Sequence, residues 1–300
     1  MGETETRSMT DFYDKTHGKW LGILSQIGVD VSGRHGPCPL CGGKDRFRFD
    51  DKHGDGDYYC NGCGAGKGMM LYQQITGLDW RSAAKEIEKM LNGIKTIHQK
   101  PKKDPRPYLR RISSGLVPIT ESPDVLAYLK SRNLPISNNI KAHSGIDYYD
   151  VEGKKVGTFS AMVGKVVDSD LQPVTLHVTY LENGKKADVS NPKKLMPVVK
   201  PFLGSAIRLF PYDGVLGIAE GIETALACYR NDGVPTWSAI SDQGLANFKV
   251  PDDVKTLVIY GDYDESFAGQ AAAYALAKKE CRFRQVYVCI PNKVGDWADY

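Results

Sequence analysis

Two CxxC pairs, Cys38-Pro39-Leu40-Cys41 and Cys60-Asn61-Gly62-Cys63, are separated only by residues 42–59. Each CxxC turn brings two thiolates to one side, and two such turns complete the tetrahedral shell of a zinc ion. The segment that carries them must fold around that shell as a small ribbon. DRFRFDD and DYYC read as its hairpin strands, joined at the turn HGDG. Pro37, Gly42, Gly43, Gly62 and Gly64 permit the tight knuckle turns. Four thiolates fill the shell, so this zinc is structural and leaves no open position for catalysis, and His35 and His53 are not needed as ligands. The other three of the seven cysteines, Cys228, Cys281 and Cys289, sit in apolar or strand-like runs and read as small buried hydrophobes. A disulfide framework belongs to short secreted chains, not to one of 300 residues.

Around the cysteines, Arg34, Lys44, Arg46 and Arg48 alternate with Phe47, Phe49, Tyr58 and Tyr59. Cations that neutralise phosphates beside rings that stack on bases suit single-stranded nucleic acid. Phe47 and Tyr58 are the ring candidates, although a domain this small must bury one strand face, so about half of the rings are expected in the core. The arginines are the stronger contact candidates. The net charge of +3 identifies no partner by itself. Hydrophobic residues at 41% and charged residues at 25% describe an ordinary globular chain. No apolar run approaches the ~20 residues of a membrane span. The polar start MGETETRSMTDFYDK resembles neither a secretory signal nor a transit peptide. The expectation is a cytoplasmic protein with no membrane partner.

Three regions follow one another. Residues 9–92 form a zinc-ribbon domain with flanking helices: DFYDKTHGKWLGILSQIG before the cysteines, then MMLYQQITG and DWRSAAKEIEKML, with Asp79 as N-cap of the last. Residues 93–111, rich in Lys, Arg and Pro, read as an extended, flexible basic linker. Residues 112–210 mix the helix SPDVLAYLKSRNL with strand runs, among them VGTFSAMVGKVV and the hairpin PVTLHVTYL-ENGKK. From 211 to 300, apolar strands VLGIAE, VPTWSAI, TLVIYGD and QVYVCI alternate with helices GIETALACYRND and SFAGQAAAYALAKKE. That alternation predicts a parallel sheet covered on both faces. The chain stops just after a strand-like run, so the natural protein is expected to continue beyond Tyr300.

Ligand and catalytic groups gather at the C-terminal edge of such sheets. TLVIYGDYD places Asp262 and Asp264 there, and VLGIAEG places Glu220 there, with Gly221 turning the chain into a helix. Close carboxylates repel unless a cation sits between them, and hard oxygens from separate strand ends suit Mg²⁺ or Mn²⁺. Asp296 and Asp299 follow the last strand. Glu223 and Asp299 read equally well as helix-capping or solvated acids.

HGPCPLCGGKDRFRFDD…YYCNGCGAGKG resembles the zinc ribbon of primases and primase-helicases encoded by bacteriophages, satellite phages and plasmids. EGIETALA and GDYDESFAGQAAA resemble the acidic motifs of a TOPRIM domain, the catalytic fold of bacterial-type primases and topoisomerases, and TLHVTYLENGKKA…NPKKLM…GSAIRLFP resembles the segment that precedes it in phage primases. The resemblance covers nearly the whole chain apart from its first residues and the linker. It implies an α+β zinc ribbon, then a mixed α/β primase core (112–210 its N-terminal part) and a Rossmann-like, parallel-sheet TOPRIM catalytic domain over 211–300. It further implies that Glu220 is an acid/base or metal ligand and that Asp262 and Asp264 hold Mg²⁺ or Mn²⁺, with Asp296 matching a further acidic motif more loosely. Lys185, Lys186, Lys193, Lys194 and Arg208 would then guide the template or the triphosphates. The implied activity is synthesis of short RNA primers from NTPs on a single-stranded DNA template, with the ribbon reading the start site, in a bacterial or phage-infected cell. A G-x-x-x-x-G-K-[ST] loop is absent, so a replicative helicase would lie beyond residue 300 or act in trans. Two other readings are a TOPRIM-type metal-dependent nuclease and a non-catalytic DNA-binding replication or recombination factor.

Overall fold

The computed structural model describes residues 10–95, 104–150, 152–295 and 297–299. They fall into two compact units, one made of residues 1–102 with 151–154 and the other of 103–150 and 155–300.

In the first unit, four antiparallel strands run in sequence order: Gly36–Cys38, Gly42–Phe49, Tyr58–Cys60 and Gly64–Gly66. Three of these have only three residues and cannot bury a core alone. One sheet face therefore packs on helices, and Phe47, Phe49 and Tyr58 join Trp20, Leu24, Leu71, Tyr72 and Ile87 in one cluster. The helices Gly68–Thr76 and Trp80–Met90 lie where periodicity places them. Asp79 caps the second by accepting from Arg81 N and Ser82 N at 2.9 and 3.1 Å, an interaction worth about 1 kcal/mol. The stretch before the cysteines is not one helix. It breaks at Gly18, whose φ of +69° is a left-handed conformation, into helical residues 10–16 and the helix Trp20–Gln26.

The second unit is built on an eleven-stranded sheet among the described residues. Its antiparallel part comprises Leu116–Val117, Ile140–Tyr149, Lys155–Val167, Pro173–Glu182, Lys185–Lys186 and Lys193–Leu195. The expected hairpin is present, with Leu181 opposite Lys186. The two-residue strand Ala206–Ile207 pairs antiparallel both with Lys155–Val167 and with Thr236–Ser238. Beyond it the sheet turns parallel, in the order Thr236–Ser238, Val215–Ala219, Thr256–Tyr260, Gln285–Cys289. The helices Ile222–Asp232 and Ala268–Glu280 cross between these strands. Each lies on a different face: Ile222, Ala225 and Leu226 pack in one cluster with Ala219 and Tyr260, and Ala272, Ala273 and Leu276 in another with Leu216, Ile218 and Leu257.

The expected linker needs correction at its C-terminal end. Residues 106–111 belong to the helix Arg106–Ser114, entered through Pro105 at φ −75°. Ile112 is buried on the antiparallel sheet, with Tyr108 and Leu109 packed beside it. This amphipathic face outweighs the local density of Pro, Lys and Arg. Residues 96–103, the middle of the expected linker, lie outside the described residues.

Candidate functional site

The four cysteine sulfurs lie within 4.8 Å of one another. Cys38 and Cys63 are 3.9 Å apart, and Cys41 and Cys60 are 3.6 Å apart. Four sulfurs at ~2.3 Å from a tetrahedral zinc stand ~3.8 Å from each other, so the cage has the size zinc requires. Backbone N–H groups brace the sulfurs: Leu40 N donates to Cys38, and Gly62 N and Cys63 N donate to Cys60. Burial opposes a Cys60 thiolate, but the N–H groups of Cys63 and Gly62 outweigh it and bring the thiol down to about 7. The Cys63 thiol, crowded by the Cys41 sulfur, is pushed up to about 12. Without a cation, then, the four groups cannot all ionise. A Cβ on Gly62 would stand 3.2 Å from the Cys41 sulfur, so the knuckle leaves no slack there. His35 and His53 turn elsewhere, to the Asp45 carbonyl and the Asp57 carboxylate.

Of the residues expected on the ribbon surface, Arg34, Lys44 and Arg46 are exposed and Arg48 is half-buried. Arg48 is tied to Asp50 at 2.9 Å. Phe47 and Tyr58 are not available for stacking. They are 1% and 5% exposed and face each other at 5.6 Å inside the core. Strand alternation puts both with Phe49 on the inner face, which leaves Tyr59, opposite Arg48 in register, as the ring on the basic face.

At the parallel edge, Ala219 is opposite Tyr260, so Glu220 and the Asp262–Asp264 loop leave neighbouring strands together. The Glu220 carbonyl accepts from Ile240 N at 2.7 Å and from Ser238 Oγ at 2.9 Å, which locks this strand end to the next. Tyr263, between the two aspartates, exchanges both backbone hydrogen bonds with Gly295 at 3.1 and 2.9 Å. Asp264 accepts from Ala268 N and Gly269 N at 3.1 and 2.8 Å, at the N-terminus of the helix Ala268–Glu280. Burial opposes its charge, but the Ser266 hydroxyl and these N–H groups hold the carboxyl below its usual range. Trp297 Nε1 donates to the Gly261 carbonyl at 3.2 Å and the ring packs edge-on against Tyr260. Asp296 lies outside the described residues.

Glu220 has the reverse surroundings. Burial, then the charges of Asp262 and Asp242, push its carboxyl up to about 7. Asp242 is an acid that sequence reasoning passed over. It opens the short helix Asp242–Ala246, four residues after the strand Thr236–Ser238, whereas Glu220 and Asp262 stand one and two residues past their strands. The donors here are hard carboxylate oxygens on adjacent strand ends, the type a hard divalent cation prefers, but among the described residues only the four cysteines stand close enough together to hold a metal ion as they are placed.

Glu223, in the first turn of the helix Ile222–Asp232, is the other residue underestimated from sequence. It is 2% exposed, accepts from Tyr128 OH at 2.8 Å, and pairs with Lys193 at 3.1 Å and Lys186 at 3.4 Å. Burial works against its charge, yet Lys193 and Lys186 together bring the carboxyl down to about 2. Lys193 also acts on Glu220, so its ammonium serves both glutamates. His177, on the strand beside Lys193, is buried, and burial lowers its imidazole to about 4. The other expected cations are placed differently. Lys194 lies 3.7 Å over the Tyr148 ring, and Arg208 stacks on Trp237 at 4.6 Å while donating to the carbonyls of Asp168 and Ser169. Lys185, alternate to Lys186 on its strand, is exposed.

Residues 33–69 match the zinc-binding domain of primase-helicase, residues 103–209 match a domain of unknown function (DUF7146), and residues 215–300 match the Toprim domain. Similar solved structures include a DNA primase domain from Pseudomonas aeruginosa, at 14% identity and TM-score 0.43, covering 64% of this chain and 73% of that one. The primase fragment of the bacteriophage T7 primase-helicase is similar at 15% identity and TM-score 0.36, covering 88% and 92%. The RNA polymerase domain of the Mycobacterium tuberculosis primase DnaG is similar at 12% identity and TM-score 0.39, covering 65% and 76%. A zinc-binding domain of the primase-helicase kind, with its four-cysteine cage, and a Toprim domain thus stand in one chain, as in a phage-type primase.

Proposed function

We propose that this protein makes short RNA primers on single-stranded DNA by divalent-metal-dependent nucleotidyl transfer. The observation that carries the reading is the convergence of Glu220, Asp262 and Asp264 at one sheet edge, with Lys193 paired to Glu223 beside them. Glu220, Asp262 and Asp264 would hold Mg²⁺ or Mn²⁺, with Asp296 as a further candidate ligand. Bound there, the metal supplies Lewis acidity to the attacking 3′-hydroxyl and to the phosphates. Asp264 is steadied for this task by the helix N-terminus, and the Tyr263–Gly295 bridge fixes the loop that carries both aspartates. The Glu220 carboxyl lies near neutrality only while the metal is absent; it would serve either as a metal ligand or, left free of the metal, as the acid/base that takes the proton of the hydroxyl. Lys186 and Lys193, aligned by Glu223, meet the triphosphate. Arg34, Lys44 and Arg46 bring the ribbon to template phosphates, and Tyr59 offers the stacking ring. A replicative helicase, in cis or in trans, is the partner that would present the template.

The test is primer synthesis on defined single-stranded templates with Mg²⁺ or Mn²⁺ and labelled NTPs, one nucleotide omitted at a time. Asp262→Ala and Asp264→Ala are expected to lower product formation by on the order of 100-fold. Full activity in either variant removes the catalytic assignment. Metal-dependent cutting of DNA without NTPs would establish the nuclease instead.

A further inference from the structure

The antiparallel strands have a second face. On the strand Lys155–Val167, Met162 and Val166 pack in one cluster with Ile222 and Ala225, on the side of the acidic edge. The alternate residues Ala161 and Val163 pack instead in the cluster of Ile112, under the helix Arg106–Ser114. Lys165 shares the parity of Ala161 and Val163 and belongs to this far side. Between that helix and the sheet lies a cleft of about 660 Å³. Leu109, Leu116 and Leu176 give it an apolar floor, and Arg106, Arg110, Lys165 and Lys200 stand around it.

Its charge is only partly compensated. Arg106 pairs with Asp104 at 3.3 Å and Lys200 with Asp168. Among the described residues, Arg110 and Lys165 have no carboxylate within the 4.0 Å of an ion pair. Both are exposed at the cleft. A ligand that satisfies the site must therefore carry concentrated negative charge at one end and a flat apolar body at the other. Ser113 and Gln172 also line the cleft and add hydroxyl and amide groups, which suit the polar edge of a base and not an acyl chain. The volume falls in the range of small-ligand sites.

We propose that this cleft is a second nucleotide site, which binds a free nucleoside polyphosphate on the far side of the sheet from Glu220, with the phosphates on Arg110 and Lys165 and the base on the leucine floor. Occupancy there bears on the helix Arg106–Ser114, which covers the cleft, and so gives the protein a nucleotide-sensing surface distinct from its substrate site. The proposal does not depend on nucleotidyl transfer.

The test uses the full chain carrying Asp262→Asn, in buffer without added divalent metal, with a fluorescent N-methylanthraniloyl ATP followed by anisotropy. Binding is expected to persist in this variant. Adding Arg110→Ala and Lys165→Ala is expected to weaken it on the order of 100-fold, because two charged contacts to the phosphates are lost. Ser113→Trp, which fills the cleft and removes no charge, is expected to weaken it comparably. Unlabelled ATP should displace the probe, inorganic triphosphate should do so less well, and an oligothymidylate should fail. Loss of binding with Asp262→Asn alone, indifference to both sets of cleft substitutions, or better displacement by the oligonucleotide than by ATP would each overturn the proposal.

Discussion

Glu220 and Glu223 flank one strand-to-helix turn, and their surroundings drive their carboxyls in opposite directions. Glu220 is raised to about 7 from an ordinary 4.5, so without metal the folded state binds its proton more tightly than the unfolded state does. Stability therefore falls as pH rises from about 4.5 to about 7, and the cost persists above that. Glu223 is depressed to about 2, so its contribution is fully present above about 4.5 and is lost as pH falls toward 2. In metal-free protein at pH 8, Glu220→Gln is expected to raise unfolding free energy by ~1–3 kcal/mol, and by far less at pH 5. Glu223→Gln, which strands the ammonium groups of Lys186 and Lys193 beside a neutral amide, is expected to lower it by ~2–4 kcal/mol at both pH values. Denaturant titrations of the two variants read this directly. A Glu220→Gln variant no more stable than the parent at pH 8 would mean that the crowded carboxylates cost the fold nothing.

Between elements, the aspartate loop is held by the helix that follows it. Gly269 sits where an added Cβ would stand 2.7 Å from the Asp262 carbonyl and 3.1 Å from Asp264 Oδ2. Gly269→Ala must therefore push the loop off the helix N-terminus. The expected result is a destabilisation of about 1–3 kcal/mol, a measured primer-synthesis rate at least roughly tenfold lower, and a smaller rise in melting temperature on adding Mg²⁺. A stable, fully active Gly269→Ala protein would show that the loop is not gripped there. Elements of this kind were legible where periodicity or a cap announced them. The Asp79 cap, the EGIETALA strand-to-helix turn and the strand before the DxD pair all lie where their patterns place them. Elements whose signal was masked were not. Tyr108, Leu109 and Ile112 supply a helical face, but the surrounding Pro, Lys and Arg read as linker. The aromatic–basic alternation on the ribbon marked a strand correctly and its faces wrongly, because periodicity separates two faces without saying which one the helices cover. The pairing of Glu223 with Lys186 and Lys193 joins residues far apart in sequence and has no local signature.

At the scale of the molecule, the change of composition near residue 211 is a change of strand direction within one sheet, carried by Ala206–Ile207, a strand too short to show any period. The two compact units divide near residue 103, and the buried clusters on the two sides share no residue. Separate cores imply separate melting. In the first unit, three strands of three residues each end in or border the cysteine knuckles, so the sheet has little to hold it once the sulfurs are released. Structural zinc contributes on the order of 10 kcal/mol to folding such ribbons. Treatment with a zinc chelator, or Cys60→Ser, is thus expected to lower one calorimetric transition by roughly 10 °C or more, or to abolish it. The transition of the second unit, whose core contains no cysteine of the cage, is expected to shift by less than about 2 °C. The helices around Trp20 and Leu71 set the lower bound on what survives in the first unit, since their apolar contacts need no metal. A single transition that moves as a whole on zinc removal would show instead that the two cores unfold together, and the ribbon would then be a stabilising part of the second unit, not an arm that folds by itself.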